Sequence, residues 1–376
     1  MPIGDNKAGF IDPGFLPLTV GPTLVGLLGM GRNATYGKLG VGNTTDYSSP
    51  VQVGALTTWL NIASGKYHSI TTKTDGTLWA WGWNYRGQLA QGNTTDYSSP
   101  VQVGALTTWL NVSGGMQHTV ATRTDGTLWT WGYNNNGQLG DGSVTQRSSP
   151  VQVGALTTWL NIASGKYHTL ASKTDGTLWA WGQGGFGKLG QGNITSYSSP
   201  VQVGALTTWS KIACGPNTSI ATKTDGTLWA WGYNAFGQLG QGNTTNYSSP
   251  VQVGALTTWL QASCGYHTAS VKTDGTLWAW GMNEKGELGQ GNTTYYSSPV
   301  QVGALTTWYA VSSGTEHIIA TQTDGTLWAI GRNTWGQLGD GSTTNRSSPV
   351  QIGSLTTWST LSSSCTWYTS MAIDSA

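Results

Sequence analysis

Charge is scarce in this chain of 376 residues. Charged residues make up 9% of it, and 17 basic side chains nearly balance 16 acidic ones, with no run of either sign. A nucleic-acid-binding protein needs a concentrated positive surface, and the sequence contains none. We therefore expect no nucleic-acid partner.

Cysteine is also scarce, and long apolar runs are missing. Cys214, Cys264 and Cys365 are an odd number without metal-ligand spacing, which argues against a disulfide framework. Cys214 and Cys264 stand where Ser64 and Ser164 occur in other repeats, so we expect small buried side chains there. No apolar run reaches the roughly 18 residues that suggest a membrane span. The N-terminus lacks a Sec signal pattern, so we expect a soluble protein without membrane insertion.

Repetition is what the sequence has in abundance. The unit SSPVQVGALTTW occurs six times unchanged, and a seventh copy, SSPVQIGSLTTW, starts at Ser347. The spacing is 50 residues, with one step of 49. Such a period indicates one closed array of structural repeats, which we place at residues 23–376, after a short segment at residues 1–22.

Each repeat is expected to build four antiparallel strands. In the sample repeat they are residues 50–53, 59–64, 68–74 and 77–81, with a tight turn at Asp75-Gly76. No segment has helical periodicity. The pattern predicts an all-β fold, a seven-bladed β-propeller of four-stranded antiparallel blades.

The two ends of the chain are expected to close the wheel. Seven SSP units accompany only six TDGTLW units, and residues 27–33 align with residues 78–84 as the missing fourth strand. Residues 371–374 supply the strand before it. A blade shared by both ends would remove the exposed sheet edges.

The run GKYHSITTKTDGTLWAWGWNYRGQLAQGN, residues 65–93, resembles the repeat of the regulator of chromosome condensation family. The likeness lies in its G-x-x-H-T, W-G-x-N and G-Q-L-G elements and covers about residues 23–376. It implies a seven-bladed propeller. It leaves function open, because that superfamily includes a guanine-nucleotide exchange factor, a plant ultraviolet photoreceptor and a secreted β-lactamase inhibitor.

Catalytic chemistry is not expected. The five histidines share one repeat position, which Thr218 and Trp367 fill in the other two copies, so they lie on a ring rather than in a cluster. The TDG aspartates are turn formers spread around the wheel. The G-x-G-x-x-G at residues 182–187 has no helix after it. We predict no enzyme, no catalytic residue, no metal and no cofactor.

The repeats differ from one another in three windows. The first follows W-G, the second precedes SSP, and the third follows the glycine after the strand at residues 59–64. Strand alternation places all three on one face of the wheel, and GALTTW and TDG on the other. The residues expected to bind a ligand there are Tyr36, Lys66, Tyr67, Trp83, Tyr85, Arg86, Tyr133, Asn135, Phe186, Tyr233, Phe236, Glu284, Lys285, Arg332, Trp335 and Trp367.

Aromatic side chains with Asn and Arg are typical of a binding surface. The alternative is drift of solvent-facing loops, which should favour small polar residues over large aromatic ones. We expect a non-enzymatic recognition module for a protein or a cell-surface glycan. In its more specific form, this hypothesis describes a virion protein that serves host attachment and lies at the virion surface.

The first 22 residues are too short for a domain and too apolar for a free tail. We expect them to dock on the propeller or on a virion partner as an anchor, through Phe10, Ile11, Phe15, Leu16 and Leu18.

Three other functions stay open at lower weight. Guanine-nucleotide exchange is implied by the family likeness, but the repeats are uniform in length and residues 1–22 hold only Lys7. Photoreception is suggested by 21 tryptophans, although eighteen occupy repeat positions that suit packing. Inhibition of a secreted enzyme is the third. Oligomeric state is not indicated.

Overall fold

The computed structural model describes residues 26–34, 36–55, 58–362 and 368–375. These residues form seven four-stranded antiparallel sheets, the blades of a propeller. The expected anchor residues, Cys365 and Trp367 lie outside the described residues. In chain order, β1 to β14 are Gly26–Gly31, Tyr47–Gln52, Trp59–Ser64, His68–Lys73, Leu78–Gly82, Tyr97–Gln102, Trp109–Gly114, His118–Arg123, Leu128–Gly132, Arg147–Gln152, Trp159–Ser164, His168–Lys173, Leu178–Gly182 and Tyr197–Gln202.

The second half of the chain repeats the same pattern. A single 3-10 turn, Gly185–Gly187, is the helical element among the described residues. Strands β15 to β28 are Trp209–Cys214, Thr218–Lys223, Leu228–Gly232, Tyr247–Gln252, Trp259–Cys264, His267–Lys272, Leu277–Gly281, Tyr296–Gln301, Trp308–Ser313, His317–Gln322, Leu327–Gly331, Arg346–Gln351, Trp358–Leu361 and Thr369–Asp374.

The closing blade draws on both ends of the chain, which confirms the predicted closure. Its strand order is β2-β1-β28-β27. Strand β1 pairs with β28 over its whole length, from Gly26 opposite Asp374 to Gly31 opposite Thr369. The described strands therefore form a ring rather than an open array.

The blade is offset from the sequence unit. The SSPVQ strand pairs with the strand before it in the chain, as β6 does with β5, and is the outer strand of that blade. The GALTT segment then crosses to the strand that begins at Trp109, in the next blade. Strands at this position, such as β3, β7 and β11, contact one another around the axis. Each repeat unit therefore links two blades.

The core lies between the blades, as the alternation of side chains predicts. Leu78 and Ala80 are fully buried and belong to one cluster with Trp109 and Trp131 of the next blade. Trp131 also donates its Nε1–H to the backbone oxygen of Gln88, at 2.8 Å. A small face packs on a bulky face at this junction, and a hydrogen bond fixes their register. The same tryptophan bond occurs at four other junctions.

Candidate binding face

The three variable windows meet on one face of the wheel. Gly82 pairs with both His68 and Tyr97, so the start of β4, the end of β5 and the start of β6 lie at the same end of the blade. At the opposite end, Trp109 donates its N–H to the oxygen of Gly76 at 3.0 Å. We call the first end the variable face and the second the constant face.

A buried asparagine orders the long loop of the variable face in six blades, and Gly184 stands at that position in the seventh. Asn84 is 0% exposed, and its Oδ1 accepts the backbone N–H of Leu89 at 2.9 Å. Its Nδ2 donates to the oxygen of Asn93 at 3.0 Å. The asparagines at the same position, Asn33, Asn134, Asn234, Asn283 and Asn333, hold the matching leucine amide in the same way. The loops are thereby held as ordered platforms.

Predicted aromatic residues form two clusters on this platform. Trp83 lies 5.5 Å from Tyr36, 5.0 Å from Tyr67 and 5.8 Å from Tyr85, measured between ring centroids. These four are the first aromatic cluster.

The second aromatic cluster lies across the wheel. Tyr233 is 4.9 Å from Phe186 and 5.8 Å from Phe236. Phe236 also contacts Tyr266 and Tyr295, at 5.8 and 6.0 Å. The candidate list missed these last two residues, although both stand in variable windows. Tyr133 is in neither cluster and pairs with Tyr167 at 5.7 Å.

Most of the predicted aromatic residues are less exposed than expected. Tyr85 is 60% exposed and Phe186 is 45% exposed. The other predicted aromatic residues that the structure describes are half-buried. Their burial arises because the window after W-G packs against the third window of the next blade. Two of the predicted aromatic side chains thus protrude, and the other described ones pack against neighbours.

The predicted polar residues fall into pairs and single positions. Arg332 forms an ion pair with Glu316, and Lys285 lies 4.0 Å from the exposed Glu284. Arg86 lies between the rings of Tyr85 and Tyr133, at 4.9 and 5.0 Å. Asn135 is exposed.

The second window is more structural than the sequence indicates. The hydroxyl of Tyr97 accepts a hydrogen bond from Asn93 at 3.2 Å. In two blades the tyrosine is replaced by arginine, and Arg147 then pairs with the buried Asp141 at 2.9 Å. These residues hold their own loop, so they are weak candidates for ligand contact.

A cationic pocket opens between the closing blade and the blade that follows it. Its volume is about 390 Å³. Three cations contribute to its wall, and one of them, Lys38, is buried and absent from the sequence candidates. Burial and the neighbouring Arg32 lower the pKa of Lys38 to about 7. The lining residues are Arg32, Ala34, Tyr36, Lys38, Lys66, Tyr67 and Tyr368.

Four of the five histidines contact a hydroxyl group of the next blade. His68 Nε2 lies 3.0 Å from the Thr119 hydroxyl of the next blade. That hydroxyl donates to the oxygen of Gln88 at 2.9 Å, so it accepts from the Nε2–H of His68. Burial is the largest cause that lowers the pKa of His68 to about 3, and the imidazole is neutral.

Trp367 does not occupy the histidine position in the closing blade, and that prediction was wrong. Thr369 pairs with Gly31 as His68 pairs with Gly82. Residues 363–368, six in number, lie between Ser362 and Thr369, whereas residues 64–67, four in number, lie between Ala63 and His68. The two extra residues shift the alignment, so the repeats are not uniform in length.

The described residues were compared with the patterns of metal sites and membrane spans. Within it, no three His, Cys, Asp or Glu side chains come together as metal ligands would. Cys214 and Cys264 are buried, as expected. No helix among the described residues has the length and apolar character to span a membrane.

Models of known protein families match nearly the whole repeat region of the chain. Residues 24–270 match the RCC1-like domain, and residues 274–321 and 324–373 match the regulator of chromosome condensation (RCC1) repeat. No curated protein matches the chain in sequence.

Several solved structures share the fold. Prp20p from Saccharomyces cerevisiae is 19% identical, with 94% of this chain and 92% of that chain covered and a TM-score of 0.83. Human WBSCR16 is 20% identical, with 94% and 99% covered and a TM-score of 0.83. Yeast RCC1 (Prp20), solved with Kap60, is 18% identical, with 98% and 97% covered and a TM-score of 0.83. Identities this low support the fold and carry no residue's role across.

Proposed function

We propose, from the premise that this chain belongs to the regulator of chromosome condensation (RCC1) repeat family, that it is a non-enzymatic recognition module binding a protein partner through its variable face. The observation that carries the proposal is the contrast between the faces. Connections on the constant face repeat almost unchanged, whereas the variable face differs from blade to blade on ordered loops. A surface of this kind can distinguish one partner from another.

The relatives favour a protein over a glycan as the partner. The Prp20p structure is described with its binding to Gsp1p and histones, and yeast RCC1 was solved bound to Kap60. The glycan stays an alternative for the test. Host attachment in a virion gains no support from the comparisons, and the anchor role of residues 1–22 stays a prediction.

The two aromatic clusters are the proposed contact centres. Rigid aromatic side chains supply much of the binding energy in protein interfaces, especially when half-buried neighbours hold them in place. Tyr85 and Phe186 protrude from these clusters and can bury more surface on binding. They are better probes than Trp83 and Trp335, whose rings already pack against the propeller.

The test compares the two faces of one protein. The double variant Tyr85→Ala/Phe186→Ala changes the variable face, and Leu106→Ala/Leu156→Ala changes exposed positions on the constant face. Both variants and the wild type are immobilised and then incubated with extract from the source cells. The retained proteins are quantified by mass spectrometry. We expect specific partners to be lost with the first variant and kept with the second.

Two further arms separate the alternatives. A glycan array replaces the extract in one, and retention of a glycan with no protein would overturn the choice of partner class. The other measures nucleotide release from a panel of small GTPases, because exchange activity is implied by the family likeness. Accelerated release would identify the protein partner as a GTPase. Equal retention by both double variants would contradict the role of the variable face.

A further inference from the structure

The cationic pocket combines several cations with little negative charge. Arg32 and Lys38 form no ion pair with a described carboxylate. The nearby Asp46 turns its Oδ1 to the backbone N–H groups of Asn33 and Ala34, at 2.6 and 2.8 Å. Lys66 adds a third cation, and burial and Arg32 lower its pKa. Like charges are thus held together at one junction of the wheel.

Lys38 has too few acceptors for a buried ammonium. Only 7% of the residue is exposed, and its Nζ has one hydrogen-bond acceptor among the described residues, the oxygen of Lys66 at 3.3 Å. An ammonium carries three N–H donors, and burying them without acceptors is costly. Two donors of Lys38 therefore have no described protein acceptor.

Lys188 shows what the same position looks like when the protein supplies the acceptors. It is the counterpart of Lys38 in another blade and is also buried. Its Nζ donates to Gln183 Oε1 at 2.6 Å and to Asn217 Oδ1 at 2.9 Å. At the positions of these two acceptors, the cationic pocket has Arg32 and Tyr67. A cation and a phenol replace two amide oxygens, and Lys38 Nζ has no side-chain acceptor among the described residues.

Arg32 contributes further hydrogen-bond donors to the cationic pocket. Its guanidinium lies over the ring of Trp335 at 4.5 Å and within 5.9 Å of the ring of Tyr368. Stacking occupies the faces of the guanidinium and leaves the N–H groups at its edges available. No described side chain accepts a hydrogen bond from them.

The closing blade is longer than the others at the two windows that line this pocket. Residues 32–36, five in number, stand between Gly31 and the next glycine. In the following blade, residues 83–86, four in number, stand between Gly82 and the next glycine. Residues 363–368 exceed residues 64–67 by two, and Tyr368 of that window lines the pocket. Two separate length changes thus converge on one cavity.

We propose that the cationic pocket binds a phosphate monoester. A dianion matches the convergent positive charges, and its three terminal oxygens can accept from Lys38 and from the edge of Arg32 together. A carboxylate offers one charge and two oxygens, fewer than the donors present. The rings of Tyr36, Tyr67 and Tyr368 can contact the organic part of the ester. This inference adds a ligand to the variable face and holds whether or not a protein also binds there.

The experiment measures binding to the full chain by calorimetry at low salt. The probes are phosphotyrosine, phosphoserine, glucose 6-phosphate and inorganic phosphate, with sulfate and acetate for comparison. We expect a Kd below about 1 mM for at least one monoester, and binding at least about tenfold weaker in Lys38→Gln and in Arg32→Gln. Glutamine is the residue at the Lys38 position in four other blades, so the fold should be kept.

Lys188→Gln is the matched control, because it removes a buried lysine at the same position where the protein already supplies the acceptors. We expect it to leave phosphate binding unchanged, and thermal melting reports whether each variant is folded. Tighter binding of phosphotyrosine or phosphoserine would point to a phosphorylated partner, and tighter binding of glucose 6-phosphate to a free sugar phosphate. No binding at 10 mM (about ten times the expected limit), equal binding by acetate, or no loss in folded Lys38→Gln would overturn the proposal.

Discussion

Single hydroxyl groups decide how the blades join. Thr119 accepts from His68 and donates to the oxygen of Gln88, which also accepts from Trp131 Nε1. Three junctions lack this arrangement. Thr218 and Thr369 stand at the histidine position in two of them. In the third, Ile318 stands at the threonine position, and both ring nitrogens of His267 have no hydrogen-bond partner among the described residues. The other four junctions keep the contact between a histidine and a hydroxyl group of the next blade.

Replacing Thr119 by valine tests the hydroxyl. The change keeps the shape and leaves the Nε2–H of His68 buried without an acceptor, while Gln88 loses one of its donors. Thr268→Val is the matched control, since Thr268 donates to Gln238 but faces Thr218 instead of a histidine. We expect Thr119→Val to lower the free energy of unfolding by about 1 kcal/mol more than the control does. Equal losses in chemical denaturation would show that the histidine contact contributes nothing.

The buried histidines also predict how stability depends on pH. The pKa of His68, His118, His267 and His317 falls to about 3, chiefly because of burial, and that of His168 lies well below its ordinary value. Between pH 6.5 and 3 the unfolded chain therefore binds more protons than the folded one. Each histidine contributes stability that is present above pH 6.5 and is lost below it, by up to about 1.4 kcal/mol per pH unit.

Melting temperatures between pH 8 and 4 check this direction. Glu287 acts in the opposite sense, because burial raises its pKa to about 7 and stability is lost as pH rises towards that value. With five histidines against one glutamate, we expect a net fall in melting temperature below pH 6.5. A His68→Asn variant should show a shallower fall, and an unchanged slope would contradict the assignment.

At the scale of the element, glycine at the end of the fourth repeat strand sets the path of the chain. Gly82 has φ +102, and a Cβ there would lie 2.6 Å from the oxygen of Tyr67. Only glycine allows this backbone angle and this approach together. The tight end of β5 directs the variable loop over the third window, and this brings the aromatic residues of neighbouring blades together.

Gly82→Ala tests this constraint, with Gly104→Ala as its control. Gly104 has φ +60 in the left-handed region and nothing within 4 Å of an added Cβ. We expect the control to cost about 1 kcal/mol of unfolding free energy and Gly82→Ala to cost clearly more, about 3 kcal/mol. Similar costs at the two positions would show that backbone conformation alone, and not the close approach, requires glycine at position 82.

At the scale of the whole molecule, stability depends on closing the ring. Strand β28 lies between β1 and β27 and is the link between the two ends of the chain. Its residues Met371 and Ile373 are buried in the junction with the following blade. A wheel without this strand would expose sheet edges and one face of that junction.

Deleting residues 369–376 should therefore lower the melting temperature by more than about 10 °C. Circular dichroism during heating provides the measurement. Deletion of residues 1–22 is the companion variant, and the anchor hypothesis predicts a folded wheel with lost assembly. A C-terminal deletion that melts like the wild type would mean that the closing strand is dispensable.

Much of the fold could be derived from the sequence because the chain repeats itself. Strand number, the Asp-Gly turns, the split closing blade and the two faces all follow from period, alternation and turn chemistry. The boundaries at residues 59–64 were correct because a tryptophan begins that strand and a glycine follows it. The offset between repeat and blade was not evident, since pairing of β6 with β5 depends on which neighbour the strand meets in space.

The sequence by itself determined the seven-bladed wheel and the face on which its copies differ, because local periodicity repeated seven times leaves few other solutions. Only the tertiary structure decided which variable side chains protrude and which pack, since Trp83 and Tyr36 come from different blades. It also brought Arg32, Lys38 and Lys66 into one pocket. Lys38 and Lys188 share a repeat position, and what separates them is whether neighbouring side chains supply acceptors for the buried ammonium.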